Sequence, residues 1–500
     1  MKNLLLFLII IPSFAHATTY YVAPNGNDNN TGTISAPFRT WAKLSSVMSA
    51  GDIAYIRGGT YTSTQGAGAS VHSLIQNLNG NSSNYIIIQN YPGESPVLDL
   101  STIGIPTNQN PKGLVIQNCS YLRVKGLRVT GLQQHRGGTG ISFGMYTISS
   151  NYIVHEQLEV DNIGGRGFSI SNSNDATYLN CDTHHNDDRW SNPGAWGGAD
   201  GFSGTGGEGS TRTTYEGCRS WWNSDDGWDF YSTDGIRTLK NCWSFWNGYQ
   251  PGSFSTAGNG EGFKLGPTNT DQSNNITKIL TNCLAFENRQ NGFSQNTGQT
   301  RYRLYNNIAY KNGRSGFWWA WHSGITQDFK NNIGYNNPNG NMDDNGQAQG
   351  SYNTWNGGVT VNNADFLSIS SVGMDGQRGQ NGELPVLNFL KLAQGSDLID
   401  AGIDVGLPFI GSAPDMGPFE FTSAASIPAP VIGAITQPTC LIAAGAVVLS
   451  GLPPTGPWTL TRTPGAVTTT GTGIIFTVTG LSAGTYTYTV SNSTGSSVPS

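Results

Sequence analysis

From residue 180 to residue 340 the chain alternates short apolar, β-type runs with polar turns, and the alternation recurs as a unit. Each unit opens on Asn-Cys or a variant of it: Asn180-Cys181, Gly217-Cys218, Asn241-Cys242, Asn282-Cys283, Asn306-Asn307 and Asn331-Asn332. Six residues after the first member of every pair stands an asparagine: Asn186, Asn223, Asn247, Asn288, Asn312 and Asn337. A glycine followed by an aromatic residue comes next, at Gly201-Phe202, Gly227-Trp228, Gly262-Phe263, Gly292-Phe293 and Gly316-Phe317. Pair and glycine are 10 residues apart in three units and 21 in two, so two units carry the same 11-residue insertion.

A unit of roughly two dozen residues is too short for a helical hairpin and suits one coil of a parallel β-helix. Equivalent residues of stacked coils then lie about 4.8 Å apart. Stacking predicts an asparagine ladder at one turn, because each amide can donate to and accept from the next. It also predicts an inward stack of the aromatics. Alternation along a strand sets an outward row two residues past each glycine: Ser203, Asp229, Lys264, Ser294 and Trp318. Asp200, Asp226 and Glu261 form a second row, with Asp225 one step earlier at the bend. The inserted loops, residues 187–199 and 248–260, are expected to wall a cleft over these residues and nowhere else along the stack.

Outside the repeat, Met1 to Ala17 has the basic start, apolar stretch and Ala-His-Ala ending of a secretory signal, so the product is expected to be secreted. Residues 18–421 are assigned to the β-helix. Pro37 to Met48, with Trp41, Leu44 and Val47 on one face, predicts an amphipathic helix that caps the first coil. Residues 422–430 are rich in Ser, Ala and Pro and read as a linker. Residues 431–500 shift to Thr, Val and Gly with alternating strands, and resemble an immunoglobulin-like β module that is expected to be cut short at Ser500. The fold class is therefore all-β.

Charge narrows the partners. Only 12% of residues are charged and the formal net charge is -6, which offers nucleic acid no basic surface. No apolar run after the leader is long enough to span a bilayer, and a monomer is expected. Cys181, Cys218, Cys242 and Cys283 share one position of the repeat, so they are read as small buried groups rather than disulfide partners or zinc ligands.

In so weakly charged a chain, four aspartates in two successive coils beside a lysine stand out. Asp200, Asp225, Asp226 and Asp229 would repel one another without a cation, and oxygen ligands of this kind suit Ca²⁺. A carboxylate-bearing sugar could share that ion. Its C5 proton is next to the carboxylate, and removing it expels the C4 oxygen by β-elimination. Lys264 is placed to take the proton if burial or a nearby cation lowers its pKa.

Ala199-Asp200-Gly201-Phe202, Asp225-Asp226-Gly227-Trp228-Asp229 and Gly260-Glu261-Gly262-Phe263-Lys264-Leu265-Gly266 resemble the motifs of the family 9 polysaccharide lyases. The resemblance covers roughly residues 19–420 and implies a right-handed parallel β-helix and calcium-dependent cleavage of an anionic pectic polysaccharide. It implies calcium ligands at Asp200, Asp225, Asp226 and Asp229 and a Brønsted base at Lys264. Glu261 departs from the family pattern and, of the two readings open to it, a further ligand or a plain turn residue, is assigned the second. Whether the substrate is polygalacturonate or rhamnogalacturonan stays open. So do two other classes: a β-helix glycoside hydrolase working with an aspartate pair, and a non-catalytic sugar-binding protein with structural calcium. Arg289, Arg314 and Lys311 are weaker candidates for holding further uronates. His184-His185 are read as structural; Trp221, Trp222, Trp318, Trp319 and Trp321 are candidates to stack on sugars, several of them assigned to the core by alternation.

Overall fold

The computed structural model describes residues 17–500 apart from 139, 191–195, 205–211, 232, 234, 267–274, 297–299, 320–324, 345–349, 423–426, 439–443, 455, 493 and 494. The leader, Trp321 and Cys440 lie outside the described residues. Two compact units form, Met1–Glu420 and Phe421–Ser500. No described helix is long and apolar enough to cross a membrane.

Three parallel sheets make up the first unit, with 11, 10 and 10 strands. One coil illustrates the rest. Phe202–Gly204 lies in the site-bearing sheet, Arg212–Glu216 in a second and Arg219–Trp221 in a third, and Trp228–Asp229 then pairs in parallel on Phe202–Gly204. The chain therefore winds as a parallel β-helix.

The repeat has a physical cause at each position. The first residue of each pair sits in the left-handed region, with φ of 54° at Asn180, 52° at Asn241, 57° at Asn282, 56° at Asn306 and 58° at Asn331. Asparagine tolerates that conformation better than most side chains, and at Gly217, φ 63°, glycine adopts it without strain. Cys181, Cys218, Cys242 and Cys283 follow, buried and free, as does Cys119 in an earlier coil. Asn307 and Asn332 then take over the cysteine position and form a short ladder of their own that ends on Asn353.

The longer ladder forms as expected. Each amide nitrogen donates to the next side-chain oxygen, from Asn186 to Asn223 at 2.7 Å, on to Asn247 at 2.9 Å, Asn288 at 3.0 Å, Asn312 at 3.1 Å and Asn337 at 3.2 Å. At its start the Ile163 N–H donates to Asn186. The aromatics stack face to face inside. Ring centroids step 5.0, 4.8, 4.7, 5.0 and 4.9 Å from Phe168 through Phe202, Trp228, Phe263 and Phe293 to Phe317. Their apolar burial supplies much of the cohesion between coils.

The expected capping helix is corrected by the structure. Only Trp41–Ser46 is helical, as a 3₁₀ segment with Thr40 at its N-cap, and no substantial helix spans Pro37 to Met48. Trp41 and Leu44, three residues apart, are both buried on it, and three-residue spacing aligns side chains in a 3₁₀ turn. Three serines and two valines or threonines around it favour a short turn over a long helix. The segment still covers the sheet, since Ser45 accepts a hydrogen bond from the Gln76 N–H.

In the second unit, antiparallel sheets of three and four strands face each other across Leu449, Trp458, Leu460, Tyr488 and Val490, a small β-sandwich.

The ladder gives a stability prediction. Asn247→Leu strands the backbone N–H of Asn223 and one N–H of its side-chain amide, which both end on Asn247 Oδ1, while the amide keeps its bond to Ser220 Oγ. Each buried group left unpaired costs about 1–3 kcal/mol. Denaturant unfolding followed by tryptophan fluorescence should register a loss of at least about 2 kcal/mol, and an unchanged midpoint would count against the ladder's role.

Candidate active site

Asp229 and Lys264 are register partners on adjacent strands, as the outward row requires, with Ser203 below and Ser294 and Trp318 above. Asp200, Asp226 and Glu261 follow one another at the bend that enters the sheet: the Gly201 N–H donates to the Asp226 carbonyl and the Gly227 N–H to that of Glu261. Carboxylate oxygens of Asp200, Asp226 and Asp229 lie within 4.8 Å of one another. Asp225 falls outside that group. Also buried, Asp225 accepts the Asn259 N–H at 2.6 Å from the second inserted loop.

The loops close over this point. The backbone of Gly258 passes so near the Trp196 and Ser224 carbonyls that an added Cβ would collide with both. Loops 187–199 and 248–260 therefore meet beside Asp225. Arg289, expected as a sugar contact, donates to the Gly258 carbonyl at 2.6 Å and braces the second loop. Lys311 pairs with Glu287, and Arg314 reaches Gln290.

Lys264 Nζ donates to Asp226 Oδ2 at 2.9 Å and to Asp229 Oδ2 at 3.0 Å. Asp226 Oδ1 accepts the Glu261 N–H, and Asp229 Oδ1 accepts the Tyr231 N–H. Asp200 has less: Arg166 Nε stands 3.4 Å from Oδ2, while the buried Oδ1 has no hydrogen-bond partner. Burial first, then repulsion from Asp229, pushes the Asp200 carboxyl up to about 8. Burial and Asp226 push Glu261 up to about 8 as well, and Asp225 and Asp226 are raised for the same reasons. Burial alone would lower the Lys264 pKa. The four aspartates overcome it and hold the proton on the amine.

The donor set fits a hard divalent cation. It consists of carboxylate oxygens only, three of them gathered from neighbouring coils, and includes a buried oxygen with nothing to accept from. These residues can coordinate a metal ion.

The family described as "Pel9A-like, right handed beta helix region" matches residues 20–347. The chain belongs to that family. Pectate lyase L of Dickeya dadantii is 32% identical over 408 residues, covering 80% of this chain and 90% of the relative. The crystal structure of pectate lyase Pel9A is similar at a TM-score of 0.69 and 29% identity, covering 82% of this chain and 98% of that one. A rhamnogalacturonan lyase structure gives 0.67 at 29% identity, covering 76% and 97%. This Pel9A-like chain is an enzyme, a polysaccharide lyase.

Two residues of the Pel9A-like site escape the sequence reading. Tyr231, half exposed, presents its ring 5.8 Å from Lys264 Nζ. Arg166 lies one coil before Asp200. Its segment Gly165-Arg166-Gly167-Phe168 repeats the glycine-aromatic signature and could have been aligned by it. Glu261, read as a plain turn residue, is buried with Oε1 on Asn291 and Oε2 without a hydrogen bond. His184 is taken up in a stack on Trp221 and a contact with Glu159.

The electrostatics set a pH dependence. Carboxyls that titrate near 8 in the fold and near 4 in the unfolded chain keep their protons only when folded. Ionising Asp200 and Glu261 therefore costs stability progressively as pH rises through that window. A cation removes that cost, so saturating Ca²⁺ should raise the unfolding temperature more at about pH 9 than at about pH 5. Asp200→Asn should diminish the effect. Equal shifts at both pH values in differential scanning calorimetry would contradict this account of the cluster.

Proposed function

We propose that the enzyme is a calcium-dependent lyase that cleaves a uronic-acid-containing pectic polymer by β-elimination, with Lys264 abstracting the C5 proton. The observation that carries this reading is the convergence of an amine and a carboxylate cluster on one outward face. Lys264 Nζ is within 3.0 Å of two acids that belong to the cation-binding set. The relatives' names, pectate lyase and rhamnogalacturonan lyase, agree in a polymer that carries uronates. We take Asp200, Asp226 and Asp229, together with Asp225, to hold Ca²⁺.

When bound, the ion supplies positive charge that neutralises the aspartates holding the Lys264 proton and favours negative charge on a substrate carboxylate. Lys264 then offers a neutral amine from a nearly buried side chain pinned between Phe263 and Leu265 in the core. Its nitrogen takes the C5 proton. The electron pair left behind forms the C4–C5 double bond as the C4–oxygen bond breaks, its pair leaving on the oxygen, which takes a proton from water. Tyr231 flanks the amine and gives a sugar ring an apolar surface to rest on. The leader-like start of the sequence accords with a secreted enzyme working on extracellular polymer, and the sandwich that follows it is read as an immunoglobulin-like appendage.

Elimination leaves an unsaturated, ultraviolet-absorbing product, which makes the test direct. Polygalacturonate and rhamnogalacturonan backbone should each be assayed with Ca²⁺ and with chelator. Product should form on at least one polymer, only with the ion, at a rate that rises with pH as Lys264 deprotonates. Lys264→Ala should lower kcat by about 10²–10⁴-fold, the usual contribution of a positioned base. Saturated reducing ends released in chelator would overturn the reading in favour of hydrolysis.

A further inference from the structure

We propose that Arg166, with Lys112 two coils further from the acidic cluster, forms a subsite that binds carboxylates of the polymer next to the uronate under attack. The inference rests on the uronate-lyase reading and says where the neighbouring sugars lie.

Register puts these residues in line. Lys112 pairs with Phe143, and Phe143 with Arg166, on consecutive strands of the site-bearing sheet. Asp200 continues the line, because Phe168 pairs with Phe202 and the Gly167 N–H donates to the Asp200 carbonyl. A cationic row thus leads up to the carboxylates at strand spacing, about 4.8 Å per coil.

Arg166 is held for such a role. Its Nε lies 3.4 Å from Asp200 Oδ2 and its guanidinium lies 5.8 Å from the centre of the Phe143 ring, which fixes the side chain. Among the described residues neither terminal nitrogen has a hydrogen-bond partner, and the side chain is 23% exposed. Other arginines of the β-helix behave differently. Arg128 grips Asp161 through two nitrogens at 2.8 Å each, and Arg219 grips Asp182 at 2.9 and 2.7 Å. Arg166 has its planar donor pair left over, and that pair matches a carboxylate. Lys112 is similar. Nζ lies over Phe143 and Tyr146 at 5.4 and 5.5 Å and reaches only the Asn110 carbonyl at 3.3 Å, with no carboxylate partner among the described residues. In a chain of net charge -6, Arg166 keeps its terminal donors free beside a single long contact to Asp200, and Lys112 has no acidic partner among the described residues, so both have capacity for an anion. A polymer lying along this sheet, parallel to the coil axis, brings one on successive uronates.

The test compares the parent with Arg166→Gln, Arg166→Lys and Lys112→Gln on polygalacturonate and on its partly methyl-esterified form, which keeps some free uronates for the reaction, with calcium affinity measured by calorimetry. Arg166→Gln should raise KM on polygalacturonate on the order of tenfold with kcat nearly unchanged. Lys112→Gln should raise it severalfold, and Arg166→Lys should restore part of the loss. The increases should shrink on the esterified polymer, and calcium affinity should hold within about threefold. An active parent whose Arg166→Gln variant keeps its KM overturns the subsite alone. So does a variant whose entire defect is lost calcium affinity, since that makes Arg166 only a support for Asp200. A parent that eliminates no uronate polymer overturns the lyase reading and the subsite with it.

Discussion

Parallel strands stacked one coil above another step by about 4.8 Å, and every other feature of this enzyme answers to that spacing. It suits a buried amide, so asparagines chain together at one turn from Asn186 to Asn337. It suits aromatic rings, which stack from Phe168 to Phe317. The same step brings Asp200, Asp226 and Asp229 close enough for one cation and sets Lys264 beside Asp229. Site and scaffold are thus one repeat. Acids take its positions at the bend, in Asp200, Asp226 and Glu261, and an acid and an amine, Asp229 and Lys264, take neighbouring positions of the outward row.

That exchange is unfavourable on its own. Asp200, Asp225 and Asp226 are all buried and all held toward their protonated forms. Backbone amides of Asn259, Glu261 and Tyr231, together with the Lys264 ammonium, offset part of the repulsion. Asp200 Oδ1 keeps nothing to accept from. A folded chain tolerates such a concentration of charge when something supplied from outside completes it, and the all-oxygen donor set defines what kind of ion does so. The amine is drawn into the same balance: whatever neutralises the aspartates also frees the lysine from its proton. In the proposed mechanism, cation and base are thereby coupled through the carboxylates they share.

Sequence made the repeating part of this legible because each signature residue has one dominant constraint. Asn and Gly interchange at 180, 217 and 241 since both accept a left-handed backbone, and Gly201-Phe202 and its equivalents mark the entry into the site-bearing sheet. From those two anchors the pairing of Asp229 with Lys264 follows by counting. Arg166 stayed hidden because its coil carries Leu158 where later coils have cysteine and Ile163 where they have the ladder asparagine. Asp225 is set by a different kind of contact. Its carboxylate accepts the Asn259 N–H, which a loop brings in and no repeat encodes. The N-terminal cap reads as an α-helix because residues three apart share a face in both kinds of turn, and only burial at the edge of the first coils selects the shorter one.

The central claim is that a cation held by Asp200, Asp226 and Asp229 and the position of residue 264 address the same sugar ring. The most direct measurement is a crystal structure of the Lys264→Ala protein soaked with Ca²⁺ and a uronate oligosaccharide. The account predicts an ion bound to those aspartates, sharing a uronate carboxylate, with C5 of that sugar turned toward the space vacated by the amine. An oligosaccharide bound with its C5 facing away from residue 264, or an ion seated elsewhere, would contradict it.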